Sequence, residues 1–460
     1  MEKIKHKLLE YQQEHTNNII RILKTNNTCL DASDTGTGKT YSAMAACNIL
    51  NLSPIIICPK SIVAQWKRIA EYFDVKNVVV INYELIKRGR MYNTKNDKIK
   101  CPFIKIKRND KNTIENITFD MNDKENKIFI FDEVHRCSNL ESDNCMLLIS
   151  AKQTNMKLLL LSATIADYPD KFKPFLYVLN FINPDQVQNM NIDYKKYIAI
   201  VEKWISRDYK PMVRIHNMLY PDRASRIRID ILGDMFPETQ ITATSYSMGK
   251  KRTKEIEKEY KILQQELQEI KDKKDKDKSN PLTITIRAQQ KIEILKIPTF
   301  IELTNDFLHN GYSVVIFVNY TQTLKTLSEM LHTNSIIYGE QDSNDRIRII
   351  EEFQENKSRI IILNIKAGGI GISLHDIMGG HPRVSLISPT WSSLDLVQAL
   401  GRIHRAGGKT KSLQRIIYAA DTVEERIADK LKIKLKNINS INNGDLDLTN
   451  INFENKNIKV

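Results

Sequence analysis

The sequence predicts an α/β fold with two parallel sheets, and three observations support this prediction. Short continuous apolar runs alternate with helical segments, which is typical of strands buried in a parallel, doubly wound sheet. The alternation stops near residue 181 and returns after residue 297, so the same fold type occurs twice. A Gly-rich loop at residues 33–40 lies between the first strand and a helical run, which is the context of a phosphate-binding loop.

The predicted strands are the short apolar runs: Cys29–Ala32, Pro54–Cys58, Val78–Ile81, Ile128–Phe131, Leu158–Leu161, Val314–Val318, Ser335–Tyr338, Ile360–Leu363 and Val384–Ile387. Helices are expected over residues 1–26, 41–50, 62–73 and 422–435, and a polar insertion with a hairpin near 103–107 over residues 87–126. We therefore expect an N-terminal lobe over 1–180, a helical insertion over 181–297, a C-terminal lobe over 298–436 and a flexible tail over 437–460.

The composition favours a polyanionic partner. Among 460 residues, 69 Lys and Arg stand against 55 Asp and Glu, which gives a formal net charge of +14. Neutralising phosphates is the usual use of such a surplus, and solubility alone is the other interpretation. The six cysteines lack Cys-x-x-Cys spacing, so buried reduced thiols are expected. No apolar run approaches the roughly 18 residues of a membrane span, so we expect an intracellular, soluble protein.

The loop from Ser33 to Thr40 is the strongest functional signal. Its glycines allow successive backbone N–H groups to point at one anion, and the following helix directs its positive end there. Lys39 is expected to reach the terminal phosphates, and the Thr40 hydroxyl is expected to hold Mg²⁺. The residues predicted to bind the phosphates are Asp34, Thr35, Gly36, Thr37, Gly38, Lys39 and Thr40.

Asp132 and Glu133 directly follow a predicted strand, downstream of the phosphate loop. In that position an aspartate can bind Mg²⁺, and a glutamate can orient and deprotonate an attacking water. An Asp-Glu pair on its own is more often a capping or surface feature. The functional interpretation of this pair is favoured because a phosphate loop is predicted in the same sheet.

Arg402 and Arg405 form the third cluster, in the segment 398–405. Their spacing predicts that they share one face of a helix. Permanent, planar guanidinium charges suit the stabilisation of a transferring phosphoryl group, although a basic surface is the simpler interpretation. The Gly-rich segment 367–371 comes before this cluster, and it could let backbone approach a ligand.

Taken in order, these motifs resemble those of the superfamily 2 helicases and translocases, including the Asp-Glu-Val-His form of the second motif. The matching segments are residues 11–12, 33–40, 59–61, 82–84, 132–135, 162–164, 368–371 and 398–405. Within this superfamily, residues 389–398 and 422–427 are similar to Swi/Snf-type translocases. The segment 371–391 is similar to that of large-DNA-virus helicases.

The resemblance implies two RecA-like lobes that bind ATP, Mg²⁺ and a nucleic acid. The implied catalytic residues are Lys39, Asp132, Glu133, Gln398, Arg402 and Arg405. Gln12 would contact the adenine, Gly371 would join the nucleotide-binding set, and Thr40 with Asp132 would hold Mg²⁺. Nucleic-acid contacts are implied for Lys60, Asn82, Tyr83 and Thr321. Ser162 and Thr164 would couple hydrolysis to lobe movement.

The sequence thus favours an ATP-dependent translocase or helicase, with DNA preferred over RNA as its substrate. Ser162-Ala163-Thr164 differs from the usual remodeller form of this motif and is similar to that of helicases. An RNA helicase acting in viral-type transcription and a non-catalytic docking subunit remain the alternatives. The similarity to viral proteins also leaves a viral factory or a virion open as the location.

Overall fold

The chain divides into two units, each built around a parallel sheet. The computed structural model of the protein describes residues 4, 6–93, 97–181, 203, 208, 210–233, 236–272, 281–339, 341–368, 372–390, 392–420, 422, 424–443 and 451–458. The first unit takes in Met1–Gly233 and Leu435–Leu448, and the second takes in Asp234–Lys434 and Thr449–Val460.

The first unit contains a six-stranded parallel sheet and two antiparallel hairpins. Its strands are β1 (Thr28–Asp31), β2 (Ser53–Cys58), β3 (Val79–Asn82), β4 (Arg90–Tyr92), β5 (Lys98–Lys100), β6 (Ile104–Arg108), β7 (Ile114–Phe119), β8 (Lys127–Asp132), β9 (Lys157–Leu161) and β10 (Ala224–Ser225). The sheet order is β10-β1-β9-β8-β2-β3, and the hairpins are β4-β5 and β6-β7. The β6-β7 pair confirms the hairpin predicted near residues 103–107.

Helices flank the sheet of the first unit. They are α1 (Glu10–Asn26), α2 (Lys39–Ile49), α3 (Val63–Tyr72), α4 (Tyr83–Ile86), α5 (Asp143–Lys152), α6 (Lys173–Val178) and α7 (Pro211–Leu219). The central strands are apolar on both faces because helices cover them, and Leu158–Leu161 are 0% exposed.

Parallel pairing places the functional loops of this unit at one edge of the sheet. Asp31 at the end of β1 and Asp132 at the end of β8 both pair with Leu161 at the end of β9. The phosphate loop, Glu133 and Ser162 therefore follow strand ends that lie side by side in the sheet. Ligands bind at such carboxyl ends in open α/β sheets.

The second unit contains a seven-stranded parallel sheet. Its strands are β11 (Thr239–Tyr246), β12 (Ser313–Val318), β13 (Ile336–Ile337), β14 (Ile360–Asn364), β15 (Arg383–Ile387), β16 (Ser412–Ala419) and β17 (Ile451–Ile458), in the order β13-β14-β12-β15-β16-β11-β17. Its helices are α8 (Lys250–Asp272), α9 (Pro281–Leu295), α10 (Ile297–His309), α11 (Thr321–Met330), α12 (Ser343–Gln354), α13 (Ile365–Gly368), α14 (Ser393–Leu400) and α15 (Glu424–Asn443), which extends to the unit boundary and beyond.

The structure corrects the predicted boundaries in two places. Residues 181–297 are not a separate helical insertion, because β10 joins the first sheet and β11 joins the second. The predicted tail over 437–460 also contains regular structure. Residues 437–443 continue α15, and β17 pairs with β11.

Burial confirms the prediction about the cysteines. All six are buried and free, and burial raises the pKa of Cys47 to about 12. None of the described helices has the length and apolar character needed to cross a membrane.

A buried ion pair in the second unit gives a stability prediction. Lys296 Nζ lies 2.8 Å from Glu424 Oε1, and the two side chains are 2% and 5% exposed. Changing Lys296 to Met leaves a buried carboxylate without its cation, which typically costs about 3–5 kcal/mol. We expect the amide protons of β16 to exchange with solvent faster in this variant, by an amount that corresponds to this loss of stability.

Lys291→Met is the matched control, because Lys291 is 62% exposed and pairs with Glu259 at 3.1 Å. Exposed pairs contribute about 0–1 kcal/mol. Equal effects of the two substitutions would contradict the structural role of the buried pair.

Candidate active site

The phosphate loop has the backbone conformation that its glycines predict. Gly36 and Gly38 have φ angles of 87° and 88°, in the left-handed region that favours glycine. Gly38 caps the N-terminus of α2, whose first residue is Lys39. The unpaired N–H groups of that first helical turn and the helix dipole together favour an anion.

Lys39 lies along the loop and contacts its backbone. Its Nζ donates to the carbonyl oxygens of Ser33 at 2.7 Å and Asp34 at 3.1 Å. An ammonium carries three donors, so a third remains for an anion at the loop. Lys39 is therefore positioned by the loop that it is predicted to serve.

Gln12 joins α1 to the phosphate loop. Its Nε2 donates to the carbonyl oxygen of Thr37 at 2.9 Å, and its Oε1 accepts from the backbone N–H of Leu9 at 3.0 Å. A Cβ at Gly38 would lie only 2.2 Å from Gln12 Nε2, so this approach requires glycine. The structure places Gln12 against the loop, and its contact with adenine stays a prediction.

A second clamp reaches the loop from the segment after β10. Arg226 Nη2 lies 2.6 Å from Asp34 Oδ1, and the backbone N–H of Ile229 donates to Asp34 Oδ2 at 3.0 Å. The side chain of Arg226 is 10% exposed, so this is a largely buried, charge-assisted contact. It fixes the first half of the loop.

A buried polar cluster supports the loop from below. His15 Nε2 lies 3.0 Å from Asp31 Oδ2, and His15 Nδ1 lies 2.9 Å from Ser225 Oγ. Burial alone would raise the pKa of Asp31, but the charge and hydrogen bond of His15 lower it below its usual value. The hydroxyl of Ser33 accepts from the backbone N–H of Ile227 at 2.8 Å. The start of the loop is thus tied to both α1 and the β10 segment.

Asp132 is a buried carboxylate at the end of β8. Its Oδ2 accepts from Trp66 Nε1 at 2.8 Å, and its Oδ1 accepts from the backbone N–H of Glu133 at 2.9 Å. Burial, and then the neighbouring charge of Glu133, raise the pKa of Asp132 to about 7.

The residues at this edge fit a divalent cation. A nearby cation would stabilise the ionised form of Asp132, which burial otherwise disfavours. The Thr40 hydroxyl in the first turn of α2 has no hydrogen bond to the described part of the chain. Carboxylate and hydroxyl oxygens with phosphate are typical Mg²⁺ ligands.

Glu133 is linked to the end of β9 through His135. Glu133 has a φ of 55°, and its Oε2 lies 3.4 Å from His135 Nδ1. The same nitrogen lies 3.1 Å from Ser162 Oγ, which donates to the carbonyl oxygen of Thr164 at 2.9 Å. The predicted base and the two predicted coupling residues therefore form one continuous polar chain.

The segment 398–405 differs from its predicted helical form. Helix α14 ends at Leu400, so Arg402 and Arg405 lie in the turn after it and not on one helical face. Arg402 is 3% exposed, and its Nη1 donates to the carbonyl oxygen of Ile372 at 3.2 Å. Arg405 is half-buried, and its Nε donates to the carbonyl oxygen of Gly401 at 3.1 Å.

The nucleotide-site roles of Gln398 and Gly371 stay predictions. Gln398 lies in α14 and is 6% exposed. Gly371 lies outside the described residues.

Two family models match parts of the chain. That of the type III restriction enzyme res subunit matches residues 5–167, and that of the helicase conserved C-terminal domain matches residues 295–407. A protein of Acanthamoeba polyphaga mimivirus, provisionally named as an ATP-dependent RNA helicase, is 39% identical over 96% of this chain and 84% of its own length. The chain belongs to the superfamily 2 helicases. Its enzymatic activity is ATP hydrolysis.

The helicase is also similar to Swi/Snf-type proteins. The chromatin remodeling factor mit1 of Schizosaccharomyces pombe is 24% identical over 93% of this chain and 32% of its own length. The ISWI chromatin-remodeling complex ATPase ISW1 of Saccharomyces cerevisiae is 22% identical over 93% of this chain and 40% of its own length. The helicase thus spans less than half of either remodeller.

The predicted nucleic-acid contacts of the helicase differ in accessibility. Lys60 is exposed beyond the end of β2, and Thr321 is exposed at the start of α11, so both stay predictions. The ring of Tyr83 is 0% exposed, and its hydroxyl donates to the carbonyl oxygen of Asp132 at 2.9 Å, so the structure places this side chain in the core of the first unit. Asn82 is 5% exposed, and its amide bonds Glu84 and Tyr92.

The contacts of three residues of the helicase site could not be predicted from the sequence. Arg226 lies 192 residues from its partner Asp34, and no local pattern connects them. His15 is on the buried face of α1, where a lone histidine carries no signal. His135 belongs to the second motif, but its contact with Ser162 depends on the pairing of β8 with β9.

The clamp on Asp34 gives a prediction about nucleotide affinity. Arg226→Ala removes a charge-assisted bond typically worth about 1.5–3 kcal/mol, so part of the ATP binding energy must then order the loop. We expect the Kd for ATP to rise about tenfold or more, as measured by calorimetric titration.

Arg214→Ala is the matched control. Arg214 lies in α7 of the same unit and pairs with Asp208 at 2.7 Å, outside the loop. We expect this variant to bind ATP as the unchanged protein does. An equal loss in both variants, or no loss in either, would contradict the clamp.

Proposed function

We propose that this helicase is an ATP-driven translocase that moves along a nucleic-acid backbone, with DNA as its preferred substrate. The observation that carries the proposal is the polar chain from Glu133 through His135 to Ser162 and Thr164. It joins the residue placed to act on the attacking water to the strand end predicted to couple hydrolysis to movement. A purely structural docking subunit has no need of such a link.

In this mechanism the loop residues hold the phosphates and Glu133 handles the proton of the attacking water. Lys39 and the N-terminus of α2 bind the anionic chain, and Asp34 keeps the loop in place through Arg226. Glu133 accepts the proton as the water attacks. Mg²⁺, held by Thr40 and Asp132, would neutralise phosphate charge when bound.

Protonation of Glu133 during hydrolysis can change the hydrogen bonds of His135 and Ser162. His135 Nδ1 faces both Glu133 and Ser162, so a change of charge on the carboxyl alters which of them it bonds. Ser162 in turn holds the carbonyl oxygen of Thr164. A change on Glu133 can therefore move the loop after β9.

We also propose that Arg405 acts on the transferring phosphoryl group, as the family resemblance implies. The guanidinium of Arg405 is more accessible than that of Arg402, which is 3% exposed and bonds the Ile372 carbonyl. Arg402 is therefore the better candidate for a residue that also holds its own loop.

The preference for DNA is supported by the segments similar to Swi/Snf-type translocases. The second candidate is an RNA helicase, and the provisional name of the mimivirus relative favours it. The net charge of +14 suits either polyanion.

The assignment of Glu133 is tested by a change to Gln. The amide keeps the shape and loses the base, which typically lowers the hydrolysis rate about 10²–10⁴-fold. We expect ATP to bind normally while single-turnover hydrolysis is lost. Glu141→Gln, at an exposed position, is the control and should hydrolyse normally. Loss of ATP binding in Glu133→Gln would show that Glu133 is structural.

The substrate is tested by comparing ATPase rates with duplex DNA, single-stranded DNA and RNA. We expect duplex DNA to stimulate hydrolysis most, and stimulation by RNA alone would favour the second candidate. Ser162→Ala should lower the ratio of stimulated to basal rate, because it breaks the polar chain. A third outcome, no stimulation by any nucleic acid, would overturn the proposed function.

A further inference from the structure

The β4-β5 hairpin of the first unit places like charges opposite one another. In its register Arg90 pairs with Lys100, and Tyr92 pairs with Lys98. Residues directly opposite share a face of the hairpin, with Cβ atoms about 4.5–5.5 Å apart. Arg90, Tyr92, Lys98 and Lys100 therefore form one face, here called the basic face.

Like charges directly opposite destabilise a strand pair, so the basic face costs stability unless an anion compensates it. All three cations are exposed, and none has an ion pair within the part of the chain that the structure describes. The surrounding sequence gives little relief, since residues 87–111 hold ten Lys and Arg but only two Asp and Glu.

The neighbouring hairpin shows the ordinary arrangement. In β6-β7, Lys105 Nζ lies 2.6 Å from Asp120 Oδ2, and Lys107 Nζ lies 2.9 Å from Glu115 Oε2. Two lysines of β6 are therefore neutralised by carboxylates of the neighbouring segment, whereas the three cations of the basic face have no such partner among the described residues. The difference points to an external anion at the basic face.

The basic face is anchored at the functional edge of the first sheet. The Tyr92 hydroxyl donates to Asn82 Oδ1 at 3.2 Å, and Asn82 is the last residue of β3. Asn82 pairs with Cys58 at the end of β2, two residues before the exposed Lys60. Lys67 Nζ lies 5.9 Å from the Tyr92 ring centroid. The hairpin thus extends this edge with further cations.

We propose that the basic face binds the phosphodiester backbone of the nucleic acid on which the helicase acts. Its cations are exposed and have no hydrogen-bond acceptor in the part of the chain that the structure describes, which suits backbone contacts and not base recognition. The proposal rests on the proposed function, because it assigns a new contact surface to the same substrate. It also explains why the repulsion between Arg90 and Lys100 is tolerated.

The test is the salt dependence of nucleic-acid affinity in the double variant Lys98→Ala/Lys100→Ala. Each phosphate contact contributes about 0.9 to the slope of log K against log salt on duplex DNA and about 0.7 on single strands. We expect the slope to shrink by about 1.8 on duplex DNA, which corresponds to about sixtyfold weaker binding at 0.1 M salt when the affinity at 1 M salt is unchanged. Fluorescence anisotropy with labelled duplex DNA and labelled single-stranded RNA measures both.

Lys105→Ala/Lys107→Ala is the matched control, because it removes the same charge from the ion-paired hairpin. We expect it to leave the slope nearly unchanged. Lys100→Ala alone should keep or raise the thermal unfolding midpoint while weakening binding, since it removes repulsion with Arg90. A slope that is unchanged in Lys98→Ala/Lys100→Ala, or equally reduced in the control, overturns the proposal.

The outcomes separate this proposal from the proposed function. If the unchanged protein binds and its ATPase is stimulated while the hairpin variants behave normally, only the basic face is wrong. If no nucleic acid binds to the unchanged protein, both fail together. A loss restricted to duplex DNA or to RNA identifies which backbone the basic face holds.

Discussion

The site of the first unit depends on side-chain contacts that hold the phosphate loop in one conformation. Gln12 holds the carbonyl oxygen of Thr37, and Arg226 with Ile229 holds the carboxylate of Asp34. His15 lies beneath and pairs with Asp31. Two separate segments, α1 and the chain after β10, therefore order the loop before a nucleotide binds, so the entropic cost of ordering it is already met in the folded protein. That preorganisation leaves more of the phosphate binding energy for affinity.

The parallel sheet turns this fixed loop into a site. Because β1, β9 and β8 are neighbours in register, the phosphate loop, Ser162 and Asp132 start at the same row. Each then has a second partner that sets its orientation: Lys39 bonds the loop carbonyls, Trp66 bonds Asp132, and His135 bridges Glu133 and Ser162. The phosphate loop, Asp132 and Ser162 are thus adjacent because of strand order, and not because they are close in sequence.

The sequence predicted the features that depend on local pattern. The two sheets, the loop conformation at Gly36 and Gly38, and the strand that ends at Asp132 follow from apolar runs and glycine positions. Features that depend on distant or atypical segments escaped it. Strand β10 has only two residues, β11 is rich in Thr, and β17 is polar, so none has the continuous apolar sequence that predicts a buried strand. Tyr83 has the motif position of a surface contact, and only the fold reveals that its hydroxyl supports Asp132.

Movement of the helicase along nucleic acid can be followed by the displacement of streptavidin from a biotinylated end. The substrates are duplex DNA, single-stranded DNA and single-stranded RNA, each labelled at one terminus and supplied with ATP and Mg²⁺ under excess free biotin. We expect displacement on at least one substrate, and we expect it to require hydrolysable ATP. We also expect this displacement to be lost in Lys39→Ala, which removes the cation held by the Ser33 and Asp34 carbonyls. Vigorous ATP hydrolysis without displacement on any substrate would contradict translocation.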